Sequence, residues 1–329
     1  MTLVLPPTPD SLRLAAELLR QGRLVAFPTE TVYGLGAAAE NPAAVRAMFA
    51  AKGRPADHPV IVHLSQASQL REWAAEIPPP AERLAAAFWP GPLTLVLRRS
   101  KRASDLVTGG LETVGLRVPS HAVARELLQQ FGGGIAAPSA NRFGRVSPTT
   151  AGHVLSELDG LVDLILDGGP CAVGLESTIV DLSRGQPAVL RPGGITAEQL
   201  AAVLGPLSIP EAPVAPRVSG SLESHYAPQA CVELIEPDKL AARATQLAAQ
   251  NLKVAVLSRG ESLAALPESV VVIALPNDDA ELAHMLYAAL RRVDELGCNV
   301  ALATLPIEQG IGVAVADRLR KAAGPRAVS

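Results

Sequence analysis

Short apolar runs that break off into loops of proline, glycine and hydroxyl residues recur through the first two hundred positions. They limit what this chain can fold into more than any other feature. Leu24–Phe27 runs into Pro28-Thr29-Glu30-Thr31-Val32-Tyr33-Gly34-Leu35-Gly36, Ile135–Ala137 into Pro138-Ser139-Ala140-Asn141-Arg142, and Leu164–Leu166 into Asp167-Gly168-Gly169-Pro170. Gly174-Leu175-Glu176-Ser177-Thr178 leads into a further run, and Arg191-Pro192-Gly193-Gly194 ends one. Runs of this length between turn residues read as strands: Leu24–Phe27, Val60–Leu64, Leu93–Leu97, Val114–Val118, Ile135–Ala137, Leu164–Leu166, Thr178–Leu182 and Ala188–Arg191. Helical patterns lie between them at Ser11–Arg20, Asn41–Ala51 and His121–Phe131, with Asn41 as a cap and Pro42 at the first helical position. The layout is mixed α/β, a class in which ligands bind at strand ends, where loops converge.

At 329 residues the chain suggests two domains. The segment Gly205–Ala230 holds five prolines and three charged residues and reads as a stiff linker, although Ser219-Gly220-Ser221-Leu222-Glu223-Ser224-His225-Tyr226-Ala227-Pro228 is unusually polar for a spacer. The expected division is 1–205, a linker at 206–230, and a second domain at 231–329. That second domain alternates cleanly. Strands are expected at Cys231–Glu236, Lys253–Ser258, Val270–Leu275 and Val300–Leu305, and helices at Asp238–Gln250, Asp278–Leu296 and Gly312–Ala322. The helix at 278–296 places Leu282, Met285, Leu286, Ala289 and Val293 on one face. Such alternation gives a parallel sheet covered by helices.

Aromatics make up only 3% of residues, so the cores must be built from Ala, Leu and Val. A net charge of −3 provides no global basic field, so an anion site has to be local. The scattered cysteines Cys171, Cys231 and Cys298 match no metal or redox spacing and fit a reducing cytoplasm. No apolar stretch is long enough to span a membrane, and Met1–Asp10 lacks the features of a signal peptide. The expected location is cytoplasmic.

Four cations fall near the polar loops: Lys52, Arg54, Arg117 and Arg191. Arg117 interrupts an apolar strand, and a buried cation needs an anionic partner. An internal salt bridge to Glu30 or Glu176 and a substrate carboxylate satisfy it equally well. Arginine suits forked binding of carboxylate or phosphate. The chain has no Gly-Lys dipeptide, which excludes a Walker loop. Gly34-Leu35-Gly36-Ala37-Ala38-Ala39 fits a dinucleotide fingerprint, but six residues separate it from the strand and the helix begins only after Asn41; the glycines read as a tight turn. The run Arg98-Arg99-Ser100-Lys101-Arg102 reads as a solvated hairpin tip, with a tRNA contact as its functional alternative. Trp89, in Phe88-Trp89-Pro90-Gly91-Pro92, reads as core and turn.

Taken in order, Pro28–Gly36, Lys52–Leu64, Phe88–Leu97, Val114–Pro119, Ala137–Asn141 with Ser147-Pro148-Thr149, Gly174–Asp181 and Arg191–Thr196 resemble the YrdC-like superfamily, specifically its two-domain threonylcarbamoyl-AMP synthases. The segment Ser219–Pro228 resembles the linker of that form. The resemblance implies a twisted mixed sheet followed by a linker and a smaller Rossmann-like α/β domain. It implies that Thr31, His63, Arg117, Ala137 and Ser177 surround L-threonine, with Arg117 on its carboxylate. It implies ATP on Lys52, Arg54, His58, Thr113, Ser139, Asn141, Ser147, Arg191 and Tyr226, and a lid containing Ser219, His225 and Tyr226. Members often carry Asn where this chain has His58; histidine can also donate to a phosphate oxygen.

The implied reaction joins L-threonine, bicarbonate and ATP into threonylcarbamoyl-adenylate and pyrophosphate. Mg²⁺ would ride on the ATP phosphates, with no metal held by the protein itself. A separate transferase would pass the group to the tRNA adenosine beside the anticodon. Three alternatives are a carbamoyl-adenylate enzyme of hydrogenase maturation, whose usual Cys-x-x-Cys pairs are absent here, a double-stranded-RNA-binding module, and a dinucleotide oxidoreductase, which requires the Gly34 motif to open a helix directly.

Overall fold

The computed structural model describes residues 1–205, 218, 226–260 and 266–325. The chain forms two compact units, one of Met1–Phe143 with Ser147–Ser221 and one of Gly144–Val146 with Leu222–Ser329. In the first unit the elements are β1 (Leu3–Leu5), α1 (Pro9–Arg20), β2 (Val25–Phe27), β3 (Gly34–Ala38), α2 (Pro42–Lys52), β4 (Ile61–His63), α3 (Leu70–Trp73), α4 (Pro79–Phe88), β5 (Leu93–Arg98), α5 (Asp105–Thr108), β6 (Thr113–Arg117), α6 (Ala122–Phe131), β7 (Ile135–Ala136), α7 (Ala151–Leu158), β8 (Leu164–Leu166), β9 (Thr178–Asp181), β10 (Ala188–Arg191) and α8 (Ala197–Leu204). The ten strands form one sheet in the order β1-β8-β2-β3-β7-β4-β6-β5-β9-β10, mixing parallel and antiparallel pairs.

Local chemistry explains several boundaries. The Asn41 side chain accepts from the amides of Ala43 (3.0 Å) and Ala44 (3.3 Å), and Pro42 opens α2 where its missing N–H costs nothing. The helix stops at Gly53, which takes the left-handed conformation (φ 63°). The expected turn at Gly34-Leu35-Gly36 is instead strand β3, fully buried between β2 and β7. These glycines serve close packing rather than turning. A Cβ on Gly36 would meet Phe27 Cε1 at 2.9 Å, Ile135 Cγ2 at 3.0 Å and the Val25 carbonyl at 3.0 Å. Helices α4, α7 and α8 and strand β1 are further elements beyond those expected from the sequence.

The two faces of the large sheet are covered unequally. On one face α1 and α6 pack Leu12, Ala16, Leu19, Leu127 and Leu128 against Phe27, Ile135 and Leu166. The larger core on the other face takes in Met48, Phe49, Trp73, Leu84, Leu95 and Leu116. Phe27 meets the His63 ring edge-on at 6.2 Å, so His63 shares the first face, and the two-residue period places Ile61, Thr113, Gly115 and Arg117 there through the β4–β6 register. This half of the face carries a small apolar cluster of Val96, Ile179 and Val218. A groove there is lined by Ile61, Thr94, Thr113, Gly115, Ile179 and Val218.

The second unit contains β11 (Cys231–Leu234), α9 (Leu240–Ala248), β12 (Val254–Ser258), β13 (Val270–Ala274), α10 (Asp279–Glu295), β14 (Val300–Ala303) and α11 (Gly312–Ala322). Its four strands are all parallel, in the order β11-β14-β12-β13. Met285, expected on the buried face of α10, is 41% exposed. The buried stripe is centred on Leu282, Leu286, Tyr287 and Leu290, which leaves Met285 at its solvent edge. Residues 144–146 join this unit through hydrogen bonds from Ala227 N to Gly144 O (3.1 Å) and from Arg291 Nη2 to Val146 O.

Gly36→Ala is expected to lower unfolding free energy by about 1–3 kcal/mol, because Phe27, Ile135 and the Val25 carbonyl cannot all retreat. Urea denaturation of the variant checks it, and an unchanged midpoint contradicts this packing role.

Candidate functional site

The β4–β6 register aligns His63 with Arg117 at the ends of neighbouring parallel strands, while β2 ends at Phe27 and delivers Thr29, Glu30 and Thr31 beside them. The Arg117 guanidinium is 4% exposed and makes three hydrogen bonds: Nη2 to Glu30 Oε1 (2.7 Å), Nη1 to Thr31 Oγ1 (2.9 Å) and Nε to Gly91 O (3.3 Å). Glu30 Oε2 accepts from the Ser120 amide at 3.0 Å. Of the two partners open to Arg117 from sequence, Glu30 is the one it contacts. An arginine has five N–H donors, so the pair leaves capacity for a further acceptor.

Burial pushes the Glu30 carboxyl upward, but Arg117 and the backbone amides outweigh it and hold the group below the usual carboxylate range. His63 is buried, and its Nδ1 has no hydrogen-bond partner among the described residues. Burial first, and the Arg117 charge second, lower the imidazole pKa to about 3, so it is neutral at physiological pH.

Backbone hydrogen bonds gather the other loops here. Val173 N donates to Glu30 O (2.7 Å), Thr178 N to Pro92 O (3.0 Å) and Tyr33 N to Pro148 O (2.9 Å). Ser177 Oγ lies 2.8 Å from Thr94 Oγ1 and accepts from Arg191 Nη2 at 3.2 Å; the same arginine donates through Nε and Nη2 to the Ser177 carbonyl. Ser147 Oγ donates to Glu176 Oε1 at 2.6 Å. Ala137 is buried directly after β7, and a Cβ on Gly34 would meet its Cβ at 3.3 Å.

A second set lies at the C-terminal end of α2. Lys52 Nζ donates to the carbonyls of Ser139 and Asn141, 2.5 Å each. Burial, then the neighbouring Arg54, push its pKa well below the ordinary lysine value. Arg54 donates to Pro59 O (2.9 Å) and sits 5.7 Å over the Phe143 ring, which His58 meets edge-on at 5.4 Å. Asn141 Nδ2 donates to Arg142 O (2.8 Å). Thr113 opens β6, about 13 Å from Arg117 along the strand, and lines the sheet-face groove.

The structure thus brings Thr31, His63 and Arg117 together, joins Ser177 to Arg191, links Lys52 to Ser139 and Asn141, and sets Arg54 and His58 against Phe143. Ser219 and His225 lie outside the described residues. Tyr226 belongs to the second unit, where it is 1% exposed, stacks on Tyr287 (5.7 Å) and lies beneath the Arg318 guanidinium (5.1 Å). Arg99 is paired with Asp105 and Glu112, and Arg102 with Glu40 and Glu72, so much of the basic run is neutralised. Trp89 is core and turn, its indole donating to Leu93 O (2.7 Å). Thr94, buried at the site, has no signal in the sequence, because a single hydroxyl inside an apolar strand resembles any other strand residue.

Known proteins share this sequence and fold. A family model described as telomere recombination (Sua5, YciO and YrdC) matches residues 17–193, and one described as the threonylcarbamoyl-AMP synthase C-terminal domain matches residues 195–324. The chain belongs to the threonylcarbamoyl-AMP synthase family. It is accordingly an enzyme, a nucleotidyltransferase. Family members include the threonylcarbamoyl-AMP synthase of Pyrococcus abyssi, 44% identical over 96% of this chain and 95% of the relative, and that of Bacillus subtilis, 42% identical over 95% and 93%. A crystal structure of P. abyssi Sua5 complexed with L-threonine superposes with a TM-score of 0.91 at 41% identity, covering 98% of this chain and 97% of that one. The expected twisted mixed sheet with a smaller α/β domain is the fold these relatives share.

Because His63 is kept neutral when folded but takes a proton below about pH 6.5 when unfolded, it makes folding stability fall as pH drops from about 6.5 to about 3. The slope is about 1.4 kcal/mol per pH unit. His63→Gln is expected to flatten the pH dependence of stability across that window relative to the parent; parallel curves by chemical denaturation contradict it.

Proposed function

We propose that the chain condenses L-threonine, bicarbonate and ATP to threonylcarbamoyl-AMP and pyrophosphate, and so supplies the N6-threonylcarbamoyl modification of tRNA. The observation that carries this reading is a desolvated arginine, Arg117, with spare donors beside Thr31 and a neutral His63, in a family one of whose members was crystallised with L-threonine. In this reading Arg117 takes the threonine carboxylate, and Thr31, His63, Ala137 and Ser177 surround the rest. Lys52, Arg54, His58, Thr113, Ser139, Asn141, Ser147 and Arg191 hold ATP. Residues 1–205 carry the chemistry, 206–230 form linker and lid, and 231–329 form the Rossmann-like domain.

The chemistry asks for alignment and charge neutralisation rather than a protein nucleophile. The free amine of threonine attacks bicarbonate or CO₂ to give a carbamate. A carbamate oxygen then attacks the α-phosphorus, and pyrophosphate leaves. Carboxylate, carbamate and triphosphate crowd negative charge together, which Arg117 and Arg191 at strand ends and Lys52 and Arg54 at the end of α2 offset. Mg²⁺ enters with the ATP phosphates; among the described residues no cluster of three or more His, Cys, Asp or Glu side chains is placed to hold a metal. Carbamates and mixed anhydrides hydrolyse, so water has to be kept from them, the role this reading gives to the 206–230 segment. A soluble cytoplasmic setting and a separate tRNA transferase complete this reading. Among the described residues no helix is long and apolar enough to cross a membrane.

Charge-assisted hydrogen bonds are worth ~1.5–3 kcal/mol net. Arg117→Ala is therefore expected to cut threonine- and bicarbonate-dependent pyrophosphate release by tenfold or more, and full activity in that variant contradicts the assignment. Deleting residues 219–228 is expected to leave the first unit folded but to lower product yield per ATP consumed, read by comparing pyrophosphate with threonylcarbamoyl-AMP. An unchanged ratio speaks against the lid. A chain that binds double-stranded RNA without either substrate dependence answers instead to the binding-module reading.

A further inference from the structure

Thr29 has no place in the reaction outlined above, yet its hydroxyl sets the polarity of its neighbour. Thr29 Oγ1 donates to Val32 O at 2.6 Å and accepts from the amides of Thr31 and Val32, both at 3.2 Å. It also lies 2.8 Å from Thr31 Oγ1. A hydroxyl has one proton, and a carbonyl can only accept. The Thr29 proton is therefore committed to Val32 O; the two amides, both at 3.2 Å, share one Thr29 lone pair, and the other accepts the Thr31 proton, which supplies the hydrogen bond between the two hydroxyls. That leaves Thr31 Oγ1 with lone pairs alone. One of them accepts from Arg117 Nη1 at 2.9 Å. One acceptor position remains, beside an arginine that still has N–H groups to give.

We propose that Thr29 is a positioning residue that locks Thr31 as a pure hydrogen-bond acceptor, so that Thr31 receives the amine of an α-amino acid whose carboxylate lies on Arg117. This inference rests on the threonine reading above and sharpens it. A donor next to an acceptor matches the carboxylate and amine that flank one α-carbon. The polarity also matters for the chemistry. An acceptor engages an N–H of the amine and leaves the nitrogen lone pair free; a donor would tie that lone pair up. The free lone pair forms the N–C bond with bicarbonate carbon, the C–OH bond breaks, and the hydroxide leaves as water with the amine proton, giving the carbamate. Thr29, Thr31 and Arg117 are all at most 4% exposed, so water does not compete for the alignment.

The test compares Thr29→Val, which keeps shape and loses the hydroxyl, with Thr29→Ser, which keeps it. Thr29→Val is expected to lower kcat for threonine-dependent pyrophosphate release at least tenfold while the threonine KM moves less than threefold, and Thr29→Ser is expected to restore most of kcat. Parent-like kcat in Thr29→Val, or a loss confined to KM, overturns the proposal. Should Thr29→Val fail to fold, the parent enzyme still decides. 2-Hydroxybutyrate, which offers a donor at the amine position, is expected to compete with threonine at least fivefold better than 2-oxobutyrate, which offers only an acceptor. Equal inhibition by the two sinks the idea. If the parent itself shows no threonine-dependent pyrophosphate release, it is the threonine reading that has failed, and the two failures stay distinct.

Discussion

The Arg117–Glu30 pair is the constraint around which the first unit is organised. Two opposite charges, both nearly inaccessible to water, carry a large desolvation cost that only close geometry and additional hydrogen bonds offset. Those bonds come from separate parts of the chain: Thr31 from the loop after β2, Gly91 from the turn before β5, and the Ser120 amide from the segment after β6. Removing either charge leaves the other stranded. The pair therefore fixes where several strand-end loops meet, and a meeting of loops is what a multi-substrate site requires.

Around that point the side chains are held in defined protonation and donor states. Glu30 stays ionised against the pull of burial because Arg117 is adjacent. His63 stays neutral because burial and the same arginine both disfavour its cation. Lys52 is pressed toward its neutral form by burial and Arg54, while the Ser139 and Asn141 carbonyls accept from its ammonium. The charge of Arg54 works against that of Lys52, so an anion brought to this pair relieves the repulsion between them.

The sheet supplies the room. Helices α1 and α6 cover only part of one face, and β4, β5, β6 and β9 present Ile61, Thr94, Gly115 and Ile179 on the part where the groove runs. Gly115 lies between Ile61 and Thr94, where an added Cβ would sit 3.5 Å from each. The groove thus exists partly because this position carries no side chain. Val218, in the expected linker, packs onto the same face with Val96 and Ile179.

Much of this was legible in the sequence by itself. The apolar period and turn residues placed most strands of both units, the Asn41 cap and Pro42 marked α2, and clean alternation announced the parallel sheet of the second unit. The loops after Phe27 and Ala137 already held Thr29 and Thr31, which meet beside Arg117, and Ser139 and Asn141, which meet Lys52. Other features depended on contacts between residues far apart in the chain. Gly34-Leu35-Gly36 reads as a turn because glycine usually signals freedom, whereas here the Phe27 ring and Ile135 demand its missing side chain in a buried strand. Arg117 could have paired with Glu30, Glu176 or a substrate; the β4–β6 register and the β2 loop chose Glu30, while Glu176 took Ser147. Composition and periodicity act over a few residues and so determine elements and their ends. Which charges meet, which protons are committed and which face stays open are settled only when distant segments exclude water from one another.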